Sequence, residues 1–518
     1  MKYAVSANEM KIYDRNTSEH FGVSSEVLME RAALFVCDRI DLWRSKRNPG
    51  RRYRVLILAG TGNNGGDGIC AARILKQRGY EVTLCTAGDP TKYTDLCLKQ
   101  LKIAENYGIT PKPAGSFFSL AADRDYDVYV DALLGVGLSR PLSGDYLKAA
   151  AYINECKNKM GSDVRVISVD IPTGLSSDTG QVLGEAVLAD ETVTFNFKKI
   201  GHILYPGCEY SGEVTVCDVG ITEESFLQKP PAAVYYDGEV KDLLPVRKRD
   251  ANKGTNGKVL VVAGSKDISG ACILSASAAL KAGAGMVRVF TAIENAEAVR
   301  ALLPEAILDV YEDYEPVRDK LKKAMEWSTQ AVVGPGIGCE GKGAELMYVM
   351  LSDYDKSMIL DADALNLIAG DEKLYRLTSN YATNGKKLIL TPHMGEFARL
   401  YKAGVKACKE HLLEYPVELS KKMHATILCK DARSIVADSN EKKIYINVSG
   451  NDGMATAGSG DVLSGIVGAF LSMGMGGFDT AAAAAYVHGR AGDAAAAKFG
   501  RYSLVATDIV AALSEVLD

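Results

Sequence analysis

Glycine and short polar side chains crowd into LAGTGNNGGDG at residues 58–68, a composition suited to holding phosphate. Glycines at 60, 62, 65, 66 and 68 are expected to give the backbone positive φ. That would turn successive N–H groups toward an anion at the start of the helix-compatible AARILKQRG. Asn63, Asn64 and Asp67 add amide and carboxylate oxygens to the rim, which a plain dinucleotide fingerprint lacks. Two further segments, DALLGVGLSRP and VDIPTG, put Asp131 and Asp170 where short β-branched runs end, with Gly135, Gly137, Thr173 and Gly174 behind them. In an open parallel sheet such ends converge on one crevice, so Asn64, Asp131 and Thr173 could offer hard oxygen ligands to one monovalent or divalent cation. Either aspartate could equally be a helix N-cap.

A second constellation is NDGMATAGSGDVLSGIVGAFL at residues 451–471, where Gly458, Ser459 and Gly460 stand directly before Asp461 and an apolar helix. Backbone N–H groups at such a helix start make an anion hole for phosphate charge that develops during transfer. Asp461 beside it is placed to take a proton from a substrate hydroxyl. A capping role alone would account for Asp461, but not for the Gly-Ser-Gly before it or for the glycine-rich GPGIG at 334–338. His393 follows another buried run in TPHMGEF, and Lys430, Asp431 and Arg433 follow a fourth. His488, inside an alanine-rich helix, reads as a hydrogen-bonded core histidine.

These residues need strands to carry them to a common edge. Residues 54–59, 80–85, 127–131, 165–170 and 191–195 read as buried parallel strands, each with helix-compatible sequence behind it. The pattern lapses in FLQKPPAAVYY, where adjacent prolines remove backbone donors. It restarts at 258–263, 286–290, 330–334, 357–361, 387–391, 426–429 and 443–448. The expected division is a first domain over 1–227, a linker over 228–236 and a larger domain over 237–518. A chain of 518 residues exceeds the roughly 250–300 at which a single core stops growing. Alanine-rich runs at 275–285 and 481–497 suit closely packed helices.

Composition narrows the function classes. Hydrophobic residues at 47% and charged ones at 24% are ordinary globular values, and a net charge of -5 offers no general field for nucleic acid. The 11 cysteines include no CxxC pair, which favours reduced thiols. No apolar run suits a secretory signal or a bilayer span. A cytoplasmic enzyme of small molecules is expected, with neither nucleic acid nor membrane as partner, and a homo-oligomer is left open.

GNNGGDG, VDALLGVG, VDIPTG and TFNFKKIGH together resemble the N-terminal domain of the NAD(P)H-hydrate epimerase family. The resemblance implies a Rossmann-like fold that inverts the hydroxylated C6 of damaged reduced nicotinamide nucleotides, with potassium bound. It assigns Asn63, Asn64, Gly65, Gly66 and Asp67, with Gly135, Val136, Gly137, Leu138, Ser139, Arg140 and Pro141, to the substrate. Asn64, Asp131 and Thr173 fall to potassium, and Asp170 to the reacting end. The family's F-x-x-x-K-x-G signal lies on Phe195, Lys199 and Gly201, which makes Lys199 a polar partner in the reaction. Apart from the family, epimerising a hemiaminal-like carbon requires loss and return of its hydroxyl. A carboxyl that passes protons to water suits that work, and Asp170 is the residue expected to do it.

GPGIG, DADALN, TPHMGEFARL, Lys430 and NDGMATAGSGDVLSG resemble, in order, the ribokinase-like domain of the ADP-dependent NAD(P)H-hydrate dehydratases. With the N-terminal matches, the resemblance covers nearly the whole chain. The implied fold is α/β throughout, a Rossmann-like three-layer domain followed by a larger ribokinase-like domain. The implied reaction spends ADP on eliminating water from the S hydrate, giving AMP, phosphate and NADH or NADPH. Gly336, His393 and Asp461 would touch the hydrate, NADHX or NADPHX. Lys430, with Gly450, Asn451, Asp452, Gly453, Met454, Ala455, Thr456, Ala457, Gly458, Ser459 and Gly460, would hold the adenine nucleotide, and magnesium is expected with it. Hydroxide leaves poorly, whereas phosphorylation makes a group that the nitrogen lone pair can expel. Met394 stands where the family usually has proline, and AGSGD replaces GGTGD while keeping a hydroxyl. Two other readings stay open: a vitamin or sugar-alcohol kinase with an accessory nucleotide-binding domain, and a nucleotide-binding module without catalysis.

Overall fold

A computed structural model describes residues 1–48, 50–120, 126–247 and 249–517. The chain divides into two compact units, Tyr3–Ala233 and Val234–Asp518 with Met1–Lys2.

In the first unit seven strands lie in the order Lys112–Pro113, Glu81–Thr86, Arg54–Ala59, Val128–Ala132, Arg165–Val169, Glu191–Phe195, Glu213–Cys217, and every pairing is parallel. RVLILA and VYVDA are apolar almost throughout because both faces of these central strands are covered. Helices Ser25–Ser45 and Asn63–Gln77 share a core with one face, and helix Gly144–Met160 packs on the other through Ala149, Ala150 and Ile153. From Arg54–Ala59 the chain builds outward on one side, then returns to place Val128–Ala132 on the other. The strand order therefore reverses between these two, and a crevice opens beyond their C-terminal ends.

Helix Ala7–Glu19 is fastened beside that crevice at several points. Ser6 and Glu9 form a capping box, and the Ala7 N–H donates to Asp178 Oδ1 at 2.6 Å. The Tyr13 hydroxyl donates to the Lys229 carbonyl at 2.8 Å, and Asn16 Nδ2 to the Ser225 carbonyl at 2.7 Å. The first unit thus reaches past residue 227, and the segment expected to be a linker carries a short strand, Ala233–Tyr235.

Nine strands of the second unit lie in the order Ile307–Tyr311, Met286–Ala292, Lys258–Val262, Gln330–Val333, Ser357–Leu360, Leu388–Leu390, Thr426–Cys429, Ile435–Asp438, Lys443–Ile446, and Ala233–Tyr235 continues the sheet beyond them. The first seven are parallel; the last two form antiparallel pairings, so the run at 443–448 is not the parallel strand expected. Helix Ser459–Ser472 is seated on the sheet and on helix Gly270–Lys281 by glycine. A Cβ on Gly465 would stand 2.1 Å from the Ser275 carbonyl oxygen, and one on Gly468 would stand 2.6 Å from Val332 Cγ2. No helix among the described residues is long and apolar enough to cross a membrane.

Candidate functional sites

The helix after Arg54–Ala59 begins at Asn63, so Asn63, Asn64, Gly65, Gly66 and Asp67 are its first turns and not a loop ahead of it. None of glycines 60, 62, 65, 66 and 68 has positive φ, which corrects the reason expected for them. Space is what they supply. A Cβ on Gly60 would fall 1.8 Å from the Leu133 carbonyl oxygen, one on Gly65 2.0 Å from the Gly60 carbonyl oxygen, and one on Gly68 2.4 Å from Ala132 Cβ. The helix start is thereby drawn down onto the place where strand order reverses. Its N-cap is Gly62, which has no side chain to cover the first N–H groups.

A cavity of about 590 Å³ opens there. It is lined by Asn63, Asn64 and Asp67, by every residue from Gly135 to Pro141, by Asp170 and Phe195, and by Met10, Lys11 and Asp14 of helix Ala7–Glu19. Gly65 and Gly66 are buried beneath it. Asp131 and Thr173 are buried too, and both oxygens of the Asp131 carboxylate accept hydrogen bonds. Its Oδ1 accepts from the Thr173 hydroxyl at 2.6 Å and the Leu133 N–H at 3.3 Å; Oδ2 accepts from the Thr173 N–H at 2.8 Å and Ser168 Oγ at 2.9 Å. Burial still raises this carboxyl against those bonds. Asn64 differs, for both polar atoms of its buried amide lack a partner among the described residues while the amide packs against Gly135.

Asp170 caps no helix. It sits at a strand end with φ of 66°, a left-handed conformation that costs a non-glycine residue energy and persists where surroundings enforce it. Its N–H donates to the Val193 carbonyl at 2.7 Å, and its Oδ1 accepts a hydrogen bond from the ammonium of Lys199. Lys199 is wholly buried and also donates to Thr194 Oγ1 at 2.8 Å, and Thr194 Oγ1 donates in turn to Asp170 Oδ1 at 3.2 Å. Behind it, His202 Nδ1 accepts from the Lys199 N–H at 3.1 Å, and burial near the lysines keeps this imidazole neutral. The expected pair Asp170 and Lys199 is brought together; Asp14, Thr194 and His202 went unread.

In the second unit the Gly334–Gly338 segment turns through positive φ at 334, 336 and 338. A Cβ on Gly334 would meet the Asp361 carbonyl oxygen at 2.0 Å. Asp361, at the end of Ser357–Leu360, is the hub: Lys430 Nζ donates to Oδ1 at 2.7 Å and the Ser464 hydroxyl to Oδ2. Lys430 is placed by a parallel bridge to His393, its N–H donating to the Pro392 carbonyl at 2.7 Å. A Cβ on Gly460 would stand 3.2 Å from the Lys430 ammonium nitrogen. Gly458 is the N-cap of helix Ser459–Ser472 with φ of 86°, which puts Asp461 inside the first turn and not in the capping position. Among the described residues the N–H groups of Gly460 and Asp461 meet no acceptor. Burial, with Asp361 nearby, raises the Asp461 carboxyl to about 6.

His393 caps helix Met394–Tyr401 through Nδ1, and Glu396 returns a bond to the His393 N–H at 2.9 Å, so the turn with methionine in place of proline is held by a capping box. Burial raises the Glu396 carboxyl to about 7, another group the sequence reading missed. Gly450 and Asn451 are tied to Asp493 of helix Gly477–Phe499 at 3.1 and 2.9 Å, while Asp452 is exposed beside Arg501. Met454, Ala455, Thr456 and Ala457 run from there to the helix start. His488 lies 3.3 Å from Ser459 Oγ, hydrogen-bonded as expected but only half-buried rather than in the core, and desolvation lowers it to about 4.

Comparison with known proteins matches each unit separately. The model described as NAD(P)H-hydrate dehydratase matches residues 259–515, and the YjeF-related protein N-terminus matches 25–201. A bifunctional NAD(P)H-hydrate repair enzyme of Thermofilum pendens is 35% identical over 98% of this chain and 95% of its own. One of Moorella thermoacetica is 34% identical over 99% and 96%. Among solved structures, the ADP/ATP-dependent NAD(P)H-hydrate dehydratase of Bacillus subtilis is 26% identical over 54% of this chain and 94% of its own, with a TM-score of 0.46.

Proposed function

The chain belongs to the bifunctional NAD(P)H-hydrate repair enzymes, and from that membership and the two sites we infer how one polypeptide divides the work. The N-terminal unit interconverts the R and S hydrates of NADH and NADPH. The C-terminal unit dehydrates the S form with ADP, releasing AMP and phosphate. The observation that carries this reading is that each unit sets a carboxylate beside an uncovered helix N-terminus at the C-terminal edge of its parallel strands.

In the first unit the nucleotide phosphates lie against the N–H groups after Gly62 and the Gly135–Pro141 loop, and C6 faces Asp170. Lys199 and Thr194 hold that carboxylate in one orientation, ready to take the proton of the water that returns to C6. Potassium fits the donors behind the loop. The unpartnered amide oxygen of Asn64, the Asp131 carboxylate and the Thr173 hydroxyl are all hard oxygens, and bound there it would steady residues 133–135 and supply positive charge under the substrate. Replacing potassium by a bulky organic cation at fixed ionic strength is expected to slow R-to-S interconversion, with Asp131→Ala insensitive to the exchange. An unchanged rate in the parent chain counts against the site.

In the second unit Asp461 takes the proton of the hydrate hydroxyl as its oxygen attacks the terminal phosphorus of ADP, and AMP departs. The free N–H groups of Gly460 and Asp461, with Lys430 beneath them, receive the developing charge. The nitrogen lone pair then expels phosphate from C6 and restores the conjugated ring. Gly336 and His393 contact the hydrate, and Gly450–Ser459 the nucleotide. Magnesium arrives with the phosphates, and Asp361 and Asp461 are the carboxylates at hand. The cysteines, all free thiols, suit a reducing cytosol.

The test reads one sample two ways. With ADP, the S hydrate should regain the absorbance of the reduced nicotinamide; without ADP, chromatography should show R and S interconverting. A vitamin or sugar-alcohol kinase would give neither signal, and a binding module would turn over nothing.

A further inference from the structure

The N-terminal cavity contains more acid than one Asp–Lys pair accounts for. Asp14 and Asp67 line it together with Asp170, yet among the described residues the carboxyl of neither Asp14 nor Asp67 makes a hydrogen bond or an ion pair. The one buried ammonium nearby, Lys199, is already committed to Asp170 and Thr194. An unpaired carboxyl at the wall of a partly desolvated cavity is costly, and such groups concentrate where a reaction uses them. Asp67 belongs to the glycine motif at the phosphate end of the site. Asp14 comes from a different element, helix Ala7–Glu19, which is tied at Ser6–Ala7, Tyr13 and Asn16 to parts of the fold outside the cavity. A helix held at both ends and in the middle aims this side chain with little freedom.

Inversion at C6 needs two proton transfers of opposite sense, and a single carboxylate paired with lysine is suited to only one of them. Accepting the reading of this site as an epimerase, we propose that Asp14 is a second catalytic residue, the acid that protonates the departing C6 hydroxyl. The Asp14 proton passes to that oxygen and the C6–O bond breaks, its electron pair leaving with water. The ring-nitrogen lone pair forms N=C6, and the Asp170 carboxylate faces the resulting cation. Water then adds to the opposite face, its oxygen supplying the new bond and its proton going to Asp170, while the electron pair of N=C6 returns to nitrogen. A proton equal to the one spent goes back to Asp14 through water, so no oxidant, reductant or co-substrate is consumed. Surroundings favour this division: burial and the neighbouring Asp170 raise the Asp14 carboxyl, with Lys199 opposing, and Asp67 is raised further by burial with Asp170 and Asp14. The charged groups facing Asp14 across the cavity are Asp67, Asp170 and Arg140, with Lys11 on its own helix and Lys199 behind Asp170.

The experiment compares the full-length parent with Asp14→Asn and Asp14→Glu, following R-to-S interconversion from pH 5 to 9 and, in the same samples, ADP-dependent dehydration of pure S hydrate. In the parent, kcat for epimerisation should fall as pH rises through the Asp14 ionisation. Asp14→Asn should lower kcat by about 10²-fold or more, with KM moved less than about threefold, and should lose that alkaline limb. Asp14→Glu, which keeps an ionisable acid, should recover part of kcat and the limb. Since the asparagine variant removes an unpaired carboxyl from a cavity wall, its melting temperature should not drop. Epimerisation by Asp14→Asn within about threefold of the parent, a rise in KM at constant kcat, or an alkaline limb that survives the substitution would each overturn the proposal. Absence of epimerisation in the parent itself would instead overturn the reading of the site, and Asp14 with it.

Discussion

Asp461→Asn is expected to cut dehydration of the S hydrate by about 10²- to 10⁴-fold while epimerisation in the same sample stays at the parent rate. Asparagine keeps the size of the side chain, and Asp461 lies in the first turn and not at the cap, so the helix start around Gly458 is undisturbed. Nucleotide should still bind, because backbone N–H groups and Lys430 remain. The pH dependence follows from the same residue. Its carboxyl, raised to about 6 by burial, must be ionised to accept a proton, so kcat/KM of the parent should climb through pH 6 and level above it. In the variant that limb should disappear. The stability effect has the opposite sign to the usual carboxylate case. A folded-state pKa above the unfolded value of 3.8 favours folding at low pH, an advantage lost between about pH 4 and 6. At pH 7 the asparagine variant should therefore melt no lower than the parent. Dehydration within about threefold of the parent would make Asp461 a bystander and turn attention to His393 and Glu396.

Asp170→Asn should act on both activity and stability. Epimerisation is expected to fall at least about 10²-fold, since the carboxylate facing C6 is gone. The backbone should tolerate the change, because asparagine accepts left-handed φ as well as aspartate does. The loss lies in Lys199, which is wholly buried and would be left with neutral acceptors alone. Breaking one side of a buried ion pair costs about 3–5 kcal/mol, whereas replacing both partners by neutral groups is often close to neutral. Denaturant unfolding of the N-terminal transition should show that loss in Asp170→Asn, and Lys199→Met in the same chain should restore most of it without restoring epimerisation. A double variant as unstable as the single one would mean that Lys199 is not held by Asp170. Recovered epimerisation would mean that neither residue takes part in the reaction.

How much of this was legible beforehand depends on what each feature requires. Arg54–Ala59, Glu191–Phe195 and Thr426–Cys429 were readable to the residue, because a strand buried on both faces must be apolar along its length and has sharp ends. Ile307–Tyr311 and Ile435–Asp438 were not, the first being half-exposed and the second belonging to an antiparallel hairpin, where that continuous signal weakens. The left-handed turn at Asp170 left no mark in VDIPTG beyond the aspartate itself.

The candidate groups that the sequence alone offered are a glycine-rich helix start after a strand, an aspartate after Gly-Ser-Gly and an aspartate at a strand end, whereas Lys199 was picked only through the family's F-x-x-x-K-x-G signal and Asp14 not at all. The first three are legible because N–H groups, carboxylates and their order along the chain are one-dimensional. Only the tertiary structure decided why the glycines are needed and who answers whom. Glycine in GTGNNGGDG is compatible with unusual φ or with close approach, and the carbonyl of Leu133, placed across the sheet, selects the second. Asp361 and Lys430 are 69 residues apart, and Asp170 and Lys199 are 29 apart. Asp14 precedes every motif that signals the cavity it enters. Pairings of this kind have no period and no fixed spacing, because they are set by where parallel strands end in space and by which helix is packed over those ends.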